Sequence, residues 1–188
     1  MRWPAFIIAL GITLTLDQAF LQVLAIGPVF PGCTATLVVF VALFAPRSVS
    51  MWAAFIAGLM VDLAQPAIMN ANEPYHVIGP STLGYVLGTY LVLLIRPMIF
   101  RRNPLSLGML CFPFLLAVGV IYIGMWSIRG FYPDTGVPWG QSAVTREFAR
   151  ILGQAVYSAI LAIPLGWILL ASWPAWKFDP MPARGGRR

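Results

Sequence analysis

Charged residues are scarce in this chain: Lys, Arg, Asp and Glu together make up 10% of its 188 residues. Soluble domains contain about 25% charged residues and roughly 45–50% apolar residues. Here the hydrophobic share is 60% and the mean hydropathy is +0.83. These values exclude an ordinary cytosolic enzyme, a disordered tail and a nucleic-acid binder. The composition predicts an integral membrane protein.

Cysteine and histidine are also nearly absent, with two of the former and one of the latter. We expect Cys33 near the outer side of the membrane and Cys111 near the inner side, so no disulfide joins them. His76 and Glu73, in one predicted loop, are too few ligands for a zinc site and lack a nucleophile at a recognisable spacing. We therefore expect no metal, no cofactor and no catalytic residue.

Apolar runs that can cross a bilayer occur six times along the chain. A spanning helix needs roughly 20 apolar residues, because lipid offers the backbone no hydrogen-bond partners. The predicted spans are residues 4–26, 30–45, 49–66, 80–98, 105–128 and 148–173. The second span is short, and turn signals bound it on both sides. The predicted fold class is all-α: a six-helix transmembrane bundle that forms a single domain over residues 1–188.

The basic residues orient the predicted spans. With the N-terminus inside, nine of them fall on the inner side and three on the outer side. The inner ones are Arg2, Arg47, Arg96, Arg101, Arg102, Lys177, Arg184, Arg187 and Arg188, and the outer ones are Arg129, Arg146 and Arg150. This positive-inside distribution predicts that both termini are cytoplasmic. Residues 178–188 are predicted to form a basic cytoplasmic tail near anionic lipid.

Two aspartates lie within predicted spans, where an ionisable group that faces lipid costs at least ~2.5 kcal/mol. Asp62 lies deep in the third span, and Asp17 lies at a comparable depth in the first, beside Gln18. Each carboxyl group is therefore expected to face the protein interior, a cavity or a partner. Asp62 is either a structural carboxylate bonded to neighbouring helices or a functional group. The two aspartates could also approach each other and share a proton.

Gly84 and Gly88 form a Gly-x-x-x-Gly motif on the fourth span, which lets another helix approach closely. We expect this motif to serve packing within the chain rather than dimerisation. The predicted outer loops, residues 67–79 and 129–147, contain no catalytic motif, phosphate-binding loop or nucleotide site. Aromatic residues beside prolines in the second loop suit contact with a partner or with the lipid surface.

The run FIAGLMVDL at residues 55–63 resembles the signature of the MreD family of rod-shape-determining membrane proteins. In that family a Gly-Leu-x-x-Asp helix end is followed by a short outer loop and a Gly- and Leu-rich helix start. The counterpart here is GPSTLGY at residues 79–85, followed by arginines on the inner side. The resemblance covers mainly residues 46–102. The chain departs from the family pattern by inserting residues 65–78 after the aspartate, and by a longer loop after the fifth span.

This resemblance implies a non-enzymatic scaffold of the cell-elongation machinery, located in the inner (cytoplasmic) membrane. It implies docking of the single-span protein MreC, in one complex with the glycosyltransferase RodA, a class B penicillin-binding protein and the actin-like MreB. Membrane lipids are further expected partners, and nucleic acid is not. The residues expected to have a structural or partner-docking role are Gly58, Asp62, Gly84, Gly88 and Asp17.

A second function stays open beside the scaffold. The fold of the family is similar to that of the substrate-binding subunits of energy-coupling-factor vitamin transporters, and Ala5-x-x-x-Ala9 is similar to their small-residue motif. A vitamin-binding pocket open to the outside would then be lined by Asp17, Gln18, Asp62 and the loop around His76. A membrane-embedded enzyme is the third class, and no Ser/His, carboxylate-pair or metal spacing within the spans supports it.

Overall fold

The computed structural model describes residues 1–64, 67–69, 73–75, 77–99, 103–129 and 144–176, and most of them are helical. The helices are α1 (Trp3–Thr15), α2 (Cys33–Phe44), α3 (Arg47–Ala64), α4 (Pro80–Ile95), α5 (Pro104–Arg129), α6 (Val144–Ala171) and α7 (Trp173–Trp176). A π-helical turn, Leu16–Phe20, follows α1, and a 3-10 turn, Arg96–Met98, follows α4. Between α3 and α4, the short strands β1 (Ala67–Met69) and β2 (Glu73–Tyr75) pair antiparallel.

Within this described part of the chain, five helices are long and apolar enough to cross a membrane. They are Trp3–Phe20, Arg47–Ala64, Pro80–Met98, Pro104–Ile128 and Val144–Ala171. The helical and apolar character expected from the sequence is therefore present. The sixth apolar helix, α2, has 12 residues. At ~1.5 Å per residue it is about 18 Å long, well short of the ~30 Å hydrocarbon layer.

The first predicted span, residues 4–26, is the one that the structure changes most. Regular α-helix ends at Thr15, and the chain turns over residues 21–24. The hydroxyl groups of Thr13 and Thr15 donate hydrogen bonds to carbonyls one turn earlier, at 3.1 and 2.8 Å. Such bonds often bend helices, and here they precede the π-helical turn that contains Asp17.

Other boundaries differ by a few residues. Helix α6 begins at Val144 rather than at residue 148, so Arg146 is helical instead of lying in the predicted loop 129–147. The i,i+3 pair of Glu147 and Arg150 favours this earlier start. The predicted loop 67–79 contains the paired strands β1 and β2. His76, the middle of the loop 129–147 and the tail 178–188 lie outside the described residues.

Helix α2 occupies the centre of the bundle. All 12 of its residues are buried, and it contacts α1, α3, α4, α5 and α6. Helix α1 lies at the periphery instead, with Phe6 and Leu10 as its buried residues and Ile7 and Ile8 mostly exposed. A helix enclosed on every side is apolar all round. The segment with the shortest apolar run in the sequence therefore forms the most completely buried helix of the core.

Consecutive helices of the bundle run in opposite directions. Gly84 of α4 lies against Val118 of α5, and one turn later Gly88 lies against Phe114, one turn earlier in α5. The bundle therefore has two distinct ends. We call the end that contains Asp17 and Asp62 the aspartate end; there α1 and α3 finish and α2, α4 and α6 begin. The opposite end, with Arg47 and Arg96, is the arginine end.

Tryptophan rings close the core at the arginine end. The ring of Trp176 lies 5.3 Å from that of Phe40, and the ring of Trp173 lies 4.4 Å from that of Phe44, both on α2. Trp176 and Trp126 are 3% exposed, so both rings lie in the protein interior. Trp126 lies on α5, where its ring centroid is 6.2 Å from that of Tyr122.

Candidate functional site at the aspartate end

Asp62 caps the N-terminus of the neighbouring helix α4. Its Oδ2 accepts the backbone N–H groups of Gly79 and Thr82 at 2.9 and 3.0 Å, and its Oδ1 accepts that of Ser81 at 2.9 Å. The Thr82 hydroxyl donates a fourth bond at 2.6 Å. The first N–H groups of a helix lack partners within the helix, and its dipole favours an anion there. Asp62 is 5% exposed and faces the protein interior.

Gly58 makes this cap possible. It precedes Asp62 by one turn of α3, so both residues lie on the same helix face. A Cβ atom at Gly58 would lie 2.6 Å from the Cα of Thr82 and 3.0 Å from the carbonyl oxygen of Ser81. Only glycine lets the start of α4 approach this closely. The two residues therefore have complementary roles, one allowing the contact and the other satisfying its N–H groups.

Asp17 caps the central helix α2 in the same way. Its Oδ1 accepts the N–H of Cys33 at 2.6 Å, and its Oδ2 accepts the N–H and the hydroxyl of Thr34 at 3.0 and 2.5 Å. The hydroxyl of Ser158, on α6, accepts the N–H of Gly32 at 2.9 Å. Asp17 lies in the π-helical turn, a deviation from regular helix that often occurs at functional positions.

The two caps form a repeated arrangement that the sequence analysis missed. In each, an aspartate near the end of one helix binds the start of the next, and a threonine in that first turn donates its hydroxyl. The sequence carries a similar pattern at both helix starts: Pro-Gly-Cys-Thr at residues 31–34 leads into α2, and Gly-Pro-Ser-Thr at residues 79–82 leads into α4. Proline and glycine mark both helix starts. However, an aspartate 17 to 20 residues before the threonine is a pairing that periodicity does not reveal.

The other end of α2 is capped by a cation. Arg96 Nη1 donates to the carbonyl oxygens of Ala42 and Ala45 at 3.0 and 2.7 Å. The Ser50 hydroxyl donates to the carbonyl of Pro46 at 3.1 Å. A negative group at the N-terminus and a positive group at the C-terminus both match the helix dipole. Side chains from other elements thus cap both ends of α2.

The hypothesis that Asp17 and Asp62 share a proton finds no support in this geometry. The two carboxylates accept their hydrogen bonds from different helices, α2 and α4. Among the hydrogen bonds of the described residues, none joins one carboxylate to the other. Each aspartate has its own complete set of donors, which removes the physical reason for pairing them.

Gly84 and Gly88 face helix α5 of the same chain. A Cβ at Gly84 would lie 3.1 Å from the Cα of Val118, and one at Gly88 would lie 2.9 Å from the ring of Phe114. The motif therefore serves packing between α4 and α5. The contact between α5 and α6 uses a second pair of glycines, Gly108 and Gly119, which the sequence analysis did not single out.

A cavity lies at the aspartate end, beyond the N-terminus of α2. It has two adjoining parts of about 430 and 170 Å³, which share the walls formed by Phe30, Tyr85 and Gln154. Gln18 and Gln22 line the larger part, and Tyr122 and Arg150 line the smaller part. The space exists because α2 is shorter than the helices around it.

The polar groups of this cavity fall into two kinds. Five side chains make no hydrogen bond within the described part of the protein; they are Gln18, Gln22, Tyr85, Tyr122 and Gln154. The charged groups are engaged: Asp17 caps α2, and Arg150 Nε donates to both oxygens of Glu147 at 3.1 and 3.0 Å. Sequence analysis expected Gln18 in a polar lining but missed Gln154 and Arg150, because one polar residue in an apolar helix does not reveal the direction it faces.

No described group of three or more His, Cys, Asp or Glu side chains is placed to hold a metal ion. Asp17 and Asp62 are engaged in the helix caps, and Glu147 pairs with Arg150. Comparison with protein-family models finds none that matches this chain, and comparisons with curated proteins and with solved structures find no significant match either.

Proposed function

We propose that this chain is a non-enzymatic membrane scaffold of the cell-elongation machinery, as its resemblance to the MreD family implies. The observation that supports this most is the use of Asp17 and the buried Asp62 as helix caps. Carboxylates bonded to three or four donors hold one arrangement of helices. Asp17 and Asp62, the ionisable side chains within the predicted spans, thus serve to hold the fold. A fixed bundle is what a docking platform requires.

The proposed topology has six crossings, with both termini in the cytoplasm and the bundle in the inner membrane. The position of Arg47 and Arg96 at one end supports this orientation, because basic residues accumulate on the cytoplasmic side. The aspartate end then faces outward. In this proposal α2 completes its crossing inside protein rather than lipid, since short or irregular elements are tolerated at membrane depth when protein surrounds them.

The proposed partner is a single-span, MreC-like protein, with RodA, a class B penicillin-binding protein and MreB in the same complex. Apolar burial alone gives no drive for association between helices already in lipid. Recognition would therefore depend on shape and close packing, and so on the exact helix arrangement that Gly58 and Asp62 maintain. A change at the cap is expected to weaken partner docking even though Asp62 itself is buried.

Affinity purification in mild detergent, followed by mass spectrometry, tests this proposal. The wild-type chain should recover an MreC-like protein, and Asp62→Leu should recover less of it than Asp62→Asn, which keeps a hydrogen-bonding group. Thr89→Val is the matched control, because the Thr89 hydroxyl is buried and bonds to no described group. Recovery of no MreC-like protein with the wild type would refute the scaffold. Equal recovery with all variants at matched expression would refute the role of Asp62.

The cavity favours a second candidate function, capture of a small molecule as in the substrate-binding subunit of a vitamin transporter. Its larger part, about 430 Å³, lies within the ~300–1,000 Å³ typical of ligand pockets. The same purification separates the candidates. An ATPase pair recovered with the wild-type chain, in place of an MreC-like protein, would favour the transporter subunit.

A further inference from the structure

We propose that the cavity at the aspartate end binds an uncharged, hydroxyl-rich group of about monosaccharide size. It deepens the second candidate function proposed above, because it names the class of ligand that the cavity would bind. It rests on the cavity itself and not on partner docking, so it can fail while the scaffold proposal stands. Three features of the cavity support it: its uncommitted hydrogen-bonding groups, its charges and its shape.

The uncommitted side chains match hydroxyl groups. Gln18, Gln22 and Gln154 each carry an amide with one acceptor oxygen and a donor nitrogen, and each tyrosine hydroxyl both donates and accepts. Sugar hydroxyls also donate and accept. Gln18 and Gln22 border the larger part of the cavity, Tyr122 borders the smaller part, and Tyr85 and Gln154 border both. None of the five side chains makes a hydrogen bond within the described residues. A polar ligand would gain partners there without displacing bonds that hold the fold.

The charged groups around the cavity argue against an ionic ligand. An anion would have to compete with Glu147 for Arg150, whose Nε lies 3.0 Å from the Glu147 carboxylate. A cation would have to compete for Asp17, which already accepts three hydrogen bonds. An ionic ligand would therefore have to displace contacts that both charged groups already make. The binding groups that remain are neutral.

The shape of the cavity fits a ring with two kinds of surface. Phe30 and Tyr85 border both parts and present aromatic surface, and the apolar walls include Val61 and Leu115. Tyr85 is held in place by an edge-to-face contact with Phe114, with ring centroids 5.2 Å apart. A sugar ring has apolar C–H faces and polar edges, so it matches a wall of rings flanked by amides. The ligand could be a free sugar or the headgroup of a glycolipid.

Cysteine protection tests the proposal on the full-length chain in phosphatidylcholine nanodiscs. Val61→Cys places a thiol in the wall shared by both parts of the cavity without removing a hydrogen-bonding group, and a membrane-impermeant maleimide should label it. Ser158→Cys, at a fully buried residue of α6, is the control that should stay unlabelled. The two native cysteines are buried, so the wild type supplies the background. Failure to label Val61→Cys would overturn the proposal, because the cavity would then be closed.

Two neutral probes separate the two sources of ligand: methyl β-glucoside in solution, and monoglucosyl diacylglycerol in the bilayer. A probe in about tenfold excess over its Kd should slow labelling about tenfold, since the free fraction of sites is 1/(1 + [L]/Kd). Glucose 6-phosphate and phosphatidylglycerol are the charged counterparts and should not protect. Adding Gln18→Leu to the Val61→Cys variant should abolish protection while labelling in the absence of probe continues.

Protection by methyl β-glucoside would identify the site as one for free sugars, and protection by the glycolipid alone would identify a headgroup site. The proposal is overturned if neither neutral probe protects, or if the charged counterparts protect equally well. Persistence of protection in the Gln18→Leu background would also overturn it, because the polar lining would then not recognise the ligand.

Discussion

Replacing Thr82 with valine removes one hydrogen bond from the Asp62 cap and little else. The Thr82 hydroxyl lies 2.6 Å from the Asp62 Oδ2, while the Thr82 backbone N–H and two others continue to bind the carboxylate. Valine has nearly the same shape as threonine, so packing against Gly58 is retained. A hydrogen bond to a charged group contributes about 1.5–3 kcal/mol to stability. We expect Thr82→Val to lower the free energy of unfolding by about this amount.

Thr89→Val is the matched control on the same helix. The Thr89 hydroxyl is 0% exposed and has no hydrogen-bond partner among the described groups. Burying an unbonded polar group costs free energy, so its replacement by a methyl group is expected to be neutral or stabilising. The pair of variants therefore compares the same chemical change with and without a hydrogen bond to a carboxylate.

Thermal unfolding in one detergent, followed by the loss of monodisperse protein on size exclusion, measures the difference. For a chain of this length ~1 kcal/mol corresponds to roughly 2–4 °C, so Thr82→Val should lower the melting temperature by about 3–12 °C. Thr89→Val should leave it unchanged or raise it. A loss with Thr89→Val as large as with Thr82→Val would show that the cap bond does not explain the effect. An unchanged melting temperature for Thr82→Val would refute the reasoning directly.

Three further substitutions test the close contacts at Gly58 and Gly88 and the Arg96 cap at the C-terminus of α2. Gly58→Ala should lower the free energy of unfolding by ~1–3 kcal/mol, because its Cβ would overlap the Thr82 backbone. Gly11→Ala is the control: no atom lies within 4 Å of its Cβ, so it should be neutral or slightly stabilising in the same unfolding assay. Arg96→Leu should cost about 1–3 kcal/mol, because it removes the bonds to the α2 carbonyls; Arg96→Lys should restore part of the loss, and equal losses would refute the capping role. Gly88→Ala should lower the melting temperature without changing the oligomeric state seen by light scattering, because the glycine packs within the chain; a shift from dimer to monomer would contradict this.

The sequence located the two aspartates but not their partners. Asp17 and Asp62 stand out because an ionisable group in an apolar run requires a reason. Thr34 and Thr82 do not, since a threonine near a predicted helix start has many possible uses. The donors and the carboxylate form a cap only when the end of one helix packs beside the first turn of the next. That meeting depends on backbone contacts such as the one at Gly58.

The residues that line the cavity were likewise only partly predictable from the sequence. Gln18 was identified beside Asp17, whereas Gln154 and Arg150 come from a helix more than a hundred residues away in the chain. Their convergence requires α2 to be short and central. Hydropathy identified α2 as the weakest span because its 12 residues are few. It could not show that other helices enclose them and leave space beyond their N-terminus.

Composition and the lengths of the apolar runs were enough to predict the helical character, the presence of helices long and apolar enough to cross a membrane, and the approximate limits of most helices. These properties follow from the chain alone, because each segment must satisfy its own backbone hydrogen bonds in lipid. The burial of α2, its caps by Asp17 and Arg96, and the neutral cavity were decided by tertiary structure. They depend on which faces of distant helices meet, and in an apolar environment many faces are equally hydrophobic. A few polar contacts then select among packings that hydropathy cannot distinguish.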